Sequence, residues 1–377
     1  KTMKKSIILW ALWLGVLPLW AKQQTPESVA EIIQRVNNNW QSNHTYKTRA
    51  FWDDAVYHIG NMEVVQLFPK SDFTGYSMRW AIHNRWQGAT EKDPKKWKYQ
   101  HYGEYQFHVL FGDWQTCFQT YIDLYKISPT KDKITRTKEV MSYMADAPES
   151  DYWWWADALF MSMPVMTKMY KLTGEQKYLN KMYSCILFTD SLMYDHETGL
   201  YFRDAKYVYP KHKTNLGKKD FWARADGWVL AGLAKVLQDL PKDYQHYDFF
   251  VEKYRRLAVA VAKLQQRGGY WTRSMMDPRQ APGPETSGTE LLTYGLLWGV
   301  NNGILPMKSY KKTVERAWNY LQNTALQPDG RVGYVQPIGE KAIPDQIVDR
   351  NSETNFGVGG FLLAACEYYR YLKAGTK

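Results

Sequence analysis

Asp157 lies in the stretch SDYWWWADALFMSMPV (150–165), directly behind three tryptophans and an alanine and directly before a run of apolar residues. An ionised carboxylate without a partner in such surroundings is costly, so burial favours the protonated acid and lifts its pKa towards neutrality. A general acid requires that condition, because it must still hold its proton near neutral pH. On a helix starting near Trp155, Asp157 falls in the first turn, with Phe160 and Met161 one turn on. A carboxylate there can also simply complement the helix dipole. A second carboxylate, Asp113, heads another helical run, FGDWQTCFQTYIDLY (111–125), beside Trp114. Alone it reads as an N-cap; at the same end of a helical barrel as Asp157, it would face the same pocket.

The stretch FWARADGWVLAGLAKVL (221–237) adds a cation to these acids. Trp222, Arg224 and Trp228 at a helix start can surround a loop-side pocket, and a guanidinium between two indoles is a receptor for a carboxylate on a flat ring. The plainer alternative is an ion pair of Arg224 with Asp220 or Asp226. Other chemistries find little support. The eight histidines show no metal-ligand spacing, His101 and His108 being the nearest pair, and no glycine-rich phosphate loop is present. No metal and no cofactor are therefore expected. Cys117, Cys185 and Cys366 fall in separate helical runs and make neither a disulfide framework nor a metal motif. In PETSGTELLTYGLLWGVNNGIL (284–305) a Ser/Thr cap opens a helix whose Gly295 and Gly299 permit close packing, and GVGGF (357–361) reads as a tight helix entry.

The elements that must position these residues are helical. Apolar positions recur at helical spacing in about twelve segments, starting near Pro26, Trp52, Phe73, Asp113, Lys131, Trp155, Glu175, Phe221, Tyr244, Ser287, Tyr310 and Thr354. They make six hairpins, some tightly joined, as at Gly174. Three of the connections, TGLYFRDA (198–205), RGGYWTRS (267–274) and DGRVGYVQ (329–336), repeat a glycine turn followed by a short aromatic, β-like stretch. Repetition at nearly equal spacing predicts stacked hairpins with equivalent loops at one end; aromatic loops favour a ring closed around a pocket over an open solenoid.

With 377 residues, 45% of them hydrophobic, the chain is globular and its core is substantial. Its 17 Trp and 28 Tyr supply flat surfaces for a core or for sugar rings. The net charge of +11 is spread among acidic residues, which suits a polyanionic substrate but forms no basic stripe for nucleic acid. Lys4 and Lys5 before SIILWALWLGVLPLW, followed by Ala21, read as a signal peptide starting at Met3 and ending at Ala21. The expectation is one domain over residues 22–377, periplasmic or secreted, with no membrane insertion once the leader is cleaved. The oligomeric state is left open.

Three stretches together, WWWADALFMSMPVMTKMYKLTG (153–174), FWARADGWVLAGLAKVLQDLP (221–241) and ETSGTELLTYGLLWGVNNGIL (285–305), supported by GVGGFLLA (357–364), carry a family likeness. They resemble the unsaturated rhamnogalacturonyl hydrolases of glycoside hydrolase family 105, relatives of the unsaturated glucuronyl hydrolases of family 88. The resemblance implies an all-α (α/α)6 barrel. It also implies a hydrolase that releases the 4,5-unsaturated uronic acid from the non-reducing end of lyase-generated oligosaccharides, most closely those of rhamnogalacturonan. Protonation at C4 of the enol ether would make an oxocarbenium-like centre at C5 that water attacks, and the hydrated ring would open. One acid can donate that proton and then deprotonate the water, and by motif position Asp157 resembles it. Asp113 resembles the second acid, orienting substrate and, if ionised, keeping Asp157 protonated. Trp155, Trp222 and Trp228 resemble stacking walls, and Arg224 resembles the uronate clamp. Arg203 of YFRDAKY (201–207) stands where many members have a histidine, and Trp114 and Phe118 stand where the family often shows paired acids and a glycine. An inverting glycosidase acting on saturated glycans and a non-catalytic glycan-binding protein are the alternatives.

Overall fold

The computed structural model describes residues 24–375, so the expected leader lies outside them. Its helices are α1 (Pro26–Asn43), α2 (Trp52–Leu67), α3 (Phe73–His83), α4 (Gly112–Gln115), α5 (Cys117–Ile127), α6 (Lys131–Asp146), α7 (Ala158–Met161), α8 (Met163–Thr173), α9 (Lys177–Met193), α10 (Ala223–Asp239), α11 (Tyr247–Lys263), α12 (Thr286–Asn301), α13 (Met307–Tyr320) and α14 (Asn355–Gly375). The expected starts at Pro26, Trp52, Phe73 and Lys131 coincide with helix starts, and the others fall within three residues of one. The six inner helices α2, α5, α8, α10, α12 and α14 each pack on the next, and α14 returns to α2. That closure makes an (α/α)6 barrel and excludes the open solenoid. The remaining long helices form the outer layer.

Glycine makes the inner ring tight. A Cβ on Gly60 of α2 would come within 2.3 Å of the Gly359 carbonyl oxygen of α14, and one on Gly232 of α10 within 2.0 Å of the Leu159 carbonyl oxygen of α7. GVGGF is thus an interhelical contact inside α14, not a helix entry. Gly295 and Gly299 behave as expected, meeting Leu230 and Tyr254. The cap of α12 is Glu285, not a Ser or Thr: its carboxylate accepts from Ser287 N at 2.8 Å and Gly288 N at 2.9 Å. The three glycine-turn loops each carry one or more isolated antiparallel bridges, including Tyr194 with Tyr201, Trp222 with Ser274 and Leu326 with Val332.

Two inner helices have broken heads. The short α4 stops before α5, and the short α7 stops at Ser162 before α8, whose Pro164 lacks the N–H needed to continue the ladder. The breaks are cross-braced: Ser162 Oγ donates to Gln115 Oε1, and Gln119 Nε2 donates to the Phe160 carbonyl at 2.7 Å. Asp113 sits on one broken head and Asp157 on the other. At the far end of the inner helices a set of partly buried ion pairs includes Arg370 with Glu63 at 2.7 Å and Lys168 with Asp123 at 2.5 Å.

Asp226, in the first turn of α10, ties a mouth loop to the barrel by accepting from Tyr201 N at 2.9 Å, while its Oδ2 is buried without a partner. Burial raises its pKa well above the ordinary value. The folded state then binds a proton that the unfolded chain has released, so this group's contribution is full below the unfolded pKa and is lost as pH rises. Asp226→Asn, which mimics the protonated form, should flatten the decline of unfolding free energy with pH above the ordinary carboxylate range by up to about 1.4 kcal/mol per pH unit. Denaturant titrations of both proteins from mildly acidic to alkaline pH measure this; parallel curves would refute it.

Candidate active site

Asp157 precedes the first residue of α7 and is 9% exposed. Its carboxylate caps no N–H of that helix, so the helix-capping alternative does not account for it. The helix starts at Ala158, later than Trp155, because residues 155 and 156 pair with the mouth loop: Trp155 bridges Asp204, and Ala156 N donates to the Arg203 carbonyl at 2.8 Å. This pairing carries Arg203 to the acid. Arg203 Nε lies 3.4 Å from Asp157 Oδ2, an ion-pair distance without hydrogen-bond alignment, and both atoms are buried without a hydrogen-bond partner. Arg203 is held by Asp204, 2.7 Å from its Nη1, and lies 3.5 Å from Glu340.

Asp113 is buried on α4 and caps nothing, Phe111 being the N-cap. Burial first, then the charge of Asp157, pushes its pKa well up, against the opposing pull of Arg203. Asp157 is also raised by burial, but Arg203 and then Arg224 work against the rise. Burial favours the protonated form of both carboxyls, and the opposing cations are Arg203 at Asp113 but both Arg203 and Arg224 at Asp157. The expected ionised Asp113 is thus disfavoured by its burial, which holds it towards the protonated form. Asp157 is the carboxyl suited to give a proton and take one back, while a protonated Asp113 can donate a hydrogen bond.

Arg224 is buried and makes no ion pair with Asp220 or Asp226. Asp220 instead pairs with His212 at 2.9 Å. The guanidinium donates from Nη1 to Ser287 Oγ at 2.9 Å and the Gln336 carbonyl at 2.6 Å, and from Nη2 to the Pro337 carbonyl at 2.8 Å. It lies between Trp222, 4.4 Å from the ring centroid, and Phe356, 5.0 Å away, so the second wall is a phenyl ring and not the Trp228 indole. Trp228, one turn along α10, points into the core against Phe160 at 4.8 Å and Trp52 at 6.2 Å. Burial pulls the Arg224 pKa down to about 10, while the charges of Glu285 and Asp157 oppose the fall, so the guanidinium remains charged at neutral pH. Its Nε is buried with no partner. Trp222 is fixed by its Nε1 donating to Gln336 Oε1 at 2.8 Å.

The tryptophans of the run differ in burial although Trp154 and Trp155 touch, their ring centroids 4.6 Å apart. Trp153 and Trp155 are 1% exposed, with Trp155 stacked on Phe111 at 4.5 Å; Trp154 is the one that reaches a cavity. Trp155 therefore braces the site, and the open indole face belongs to Trp154. The cavity, about 400 Å³, is also lined by Tyr102, Arg203, Asp204, Lys206 and Glu340. A larger cleft of about 590 Å³ lies between α11 and the loop after α9, away from both carboxylates.

Sequence reasoning missed Trp154, Glu340 and Asp53. Asp53, buried at the head of α2, accepts from Asn355 at 3.2 Å, and its charge helps raise Asp113. It repeats the pattern of an acid beside Trp at a helix head, in FWDDAV (51–56), and could have been found by that pattern. Among the described residues no group of three or more His, Cys, Asp or Glu could hold a metal ion, and no helix is long and apolar enough to cross a membrane.

Residues 25–372 match the family model described as Glycosyl Hydrolase Family 88. Two curated relatives named unsaturated 3S-rhamnoglycuronyl hydrolase are similar to the chain. The one from Formosa agariphila is 39% identical over 57% of this chain and 57% of its own length, so the match spans little more than half of that relative. The one from Alteromonas sp. is 30% identical over 91% of this chain and 86% of its own length. A solved structure described as a glycosyl hydrolase family 88 protein from Bacteroides vulgatus superposes with a TM-score of 0.91 at 56% identity, covering 93% of this chain and all of that one (100%).

Proposed function

The chain belongs to glycosyl hydrolase family 88 and is a glycoside hydrolase, and from that premise we propose that it removes the 4,5-unsaturated uronic acid from the non-reducing end of lyase-generated oligosaccharides with a rhamnose-type sugar next to the uronate. The family likeness read from the three motifs agrees with this membership. The observation that carries the reading is the buried, unpartnered Asp157 oxygen beside Arg203, with Asp113 and Arg224 close enough to bias its charge.

Asp157 delivers its proton to C4, and the electron pair of the C4=C5 bond forms the new C–H bond. Positive charge develops at C5 and on the ring oxygen. The carboxylate left on Asp157, steadied by Arg203, accepts a proton from the water that adds to C5 and so regains its starting state. The hydrated ring then opens and the aglycone departs. Arg224, with a free Nε beside a charged and aromatic wall, attracts the uronate carboxylate. Protonated Asp113 donates to a ring hydroxyl. The test is the ultraviolet absorbance of the conjugated double bond during incubation with lyase-generated fragments. Loss of absorbance supports the proposal, and stable absorbance across rhamnose-linked, pectic and glycosaminoglycan fragments rejects it.

The same reading places the enzyme outside the cytoplasm, because the run from Lys4 to Ala21 has the order of charge, apolar core and small residue that export requires. Expressed with this leader, the protein should be recovered outside the cytoplasm with Lys22 as its first residue by mass spectrometry. An intact leader on cytoplasmic protein would contradict this.

A further inference from the structure

The third glycine-turn loop, DGRVGYVQ (329–336), brings two arginines to one recess in the outer layer. Gly330 packs on α1, where a Cβ would lie 3.2 Å from the Arg35 backbone oxygen and 3.3 Å from its Cγ. Gly333 packs on the segment behind α13, where a Cβ would come within 2.4 Å of the Arg350 carbonyl oxygen. Arg35 and Arg350 both line the resulting cavity of about 440 Å³. Uncommon backbone completes it. α13 runs into a π turn over Leu321–Ala325, closed by Leu326 N donating to the Leu321 carbonyl at 2.9 Å, and this turn contributes Gln322, Asn323 and Thr324 to the lining. Such turns recur at functional sites. Tyr334, also in the lining, has a φ of 59°, a left-handed conformation that bulky residues rarely adopt. It is held there by its N–H donating to the Asp349 carbonyl at 2.7 Å and by its carbonyl accepting from Thr286 N at 2.8 Å.

Charge decides what such a recess can hold. Arg35 and Arg350 are exposed, and among the described residues neither has a carboxylate within ion-pair distance. No Asp or Glu lines the cavity, and the acids adjoining the loop are engaged elsewhere: Asp329 pairs with Arg331 at 2.7 Å, and Glu353 accepts from Val332 N at 3.2 Å. Two unpaired guanidinium groups above neutral amides and a hydroxyl form a receptor for an oxyanion. The tyrosine ring and the volume suit a sugar that carries one. We propose that this recess is a second glycan-binding site, which takes an anionic sugar, bearing a carboxylate or a sulfate ester, from a longer chain. The inference rests on the proposed function only for the polyanionic nature of the glycan. The recess is walled by α1 and the end of α13, both outer elements, whereas Asp113 and Asp157 stand on the broken heads of inner helices, so it does not extend the acid site.

The experiment measures retardation in native gels containing polygalacturonate in one series and dextran sulfate in another, normalised to mobility without polymer. Wild type is compared with Arg35→Gln/Arg350→Gln and with Lys308→Gln/Lys312→Gln, which removes the same charge from exposed positions of α13. The wild type and the lysine variant should be retained alike, and the arginine variant should bind at least about fivefold more weakly. Its kcat and KM on an unsaturated uronyl disaccharide should stay at wild-type values. Retention by polygalacturonate alone assigns the site to carboxylates, and retention by dextran sulfate alone assigns it to sulfate esters. Equal retention of the arginine variant and the wild type, an equal loss in the lysine variant, or a wild type that neither polymer retards would overturn the inference. A wild type that is retained in this way but cleaves no disaccharide would reject the proposed function and leave the second site standing.

Discussion

Asp157→Asn should fold, bind substrate and turn it over at least about 10²-fold more slowly, with the loss in kcat and not in KM, because removing a positioned general acid costs about 10² to 10⁴ in rate. Asn has the shape of the protonated acid, so the buried site loses no packing. Its neutral amide also relieves the desolvation that lifts the Asp157 pKa, and the thermal midpoint at neutral pH should be no lower than in wild type. The pH profile supplies a second reading. The acid form is the active one, so kcat/KM of the wild type should fall as pH rises through the raised pKa of Asp157, and this limb should be absent from the residual activity of the variant. A variant retaining more than a tenth of the wild-type rate would remove Asp157 from the role of acid. Had the protein been only a glycan binder, no turnover would have been lost at all.

Arg224→Lys should be the next most damaging change, and it should damage two properties together. The guanidinium satisfies two carbonyls and a hydroxyl while lying between Trp222 and Phe356. A lysine carries the charge without the planar fork, so it cannot reach the Gln336 and Pro337 carbonyls and the substrate in one geometry. Leaving a buried carbonyl without a partner costs about 1–3 kcal/mol, so the unfolding free energy should fall by that order. The segment from Gln336 to Pro337 leads to Glu340, and loosening it should raise KM while kcat/KM falls about 10²-fold through the lost charge-assisted contact to the uronate. Stability and KM measured on one preparation check both halves. An unchanged KM would separate Arg224 from substrate binding and leave it a loop anchor.

The architecture was legible because helical periodicity and glycine turns are local signals. Six hairpins with aromatic loops at one end predicted the closed ring, and helix starts such as Pro26 and Lys131 were placed to the residue by a capping threonine and a proline, or by the change from polar to periodic sequence. The placement of Asp113 and Asp157 at helix heads beside tryptophans was legible for the same reason. What escaped depends on pairing between distant segments. Trp155 was assigned to the sugar because sequence order cannot show that residues 155 and 156 pair with residues 203 and 204, and that pairing turns Trp155 inward and Trp154 out. Phe356 was missed as the second wall of Arg224 because it comes from the last helix, far along the chain. Glu340 lies in QPIGEKAIPDQIV (336–348), a loop with no periodicity, and only its contacts with Lys206 and Arg203 reveal it. The electrostatics of the two acids needed the positions of both arginines, since Arg203 opposes the burial of both carboxyls and Arg224 that of Asp157.

The central claim is that Asp157 protonates carbon and that the double bond, not the glycosidic bond, is the first to react. Turnover in deuterium oxide, followed by nuclear magnetic resonance before the released uronate can exchange, tests this most directly. The account predicts one deuterium at C4, on a single face, appearing as the conjugated absorbance disappears. Unlabelled C4 in the first product, or label spread over both faces, would contradict it.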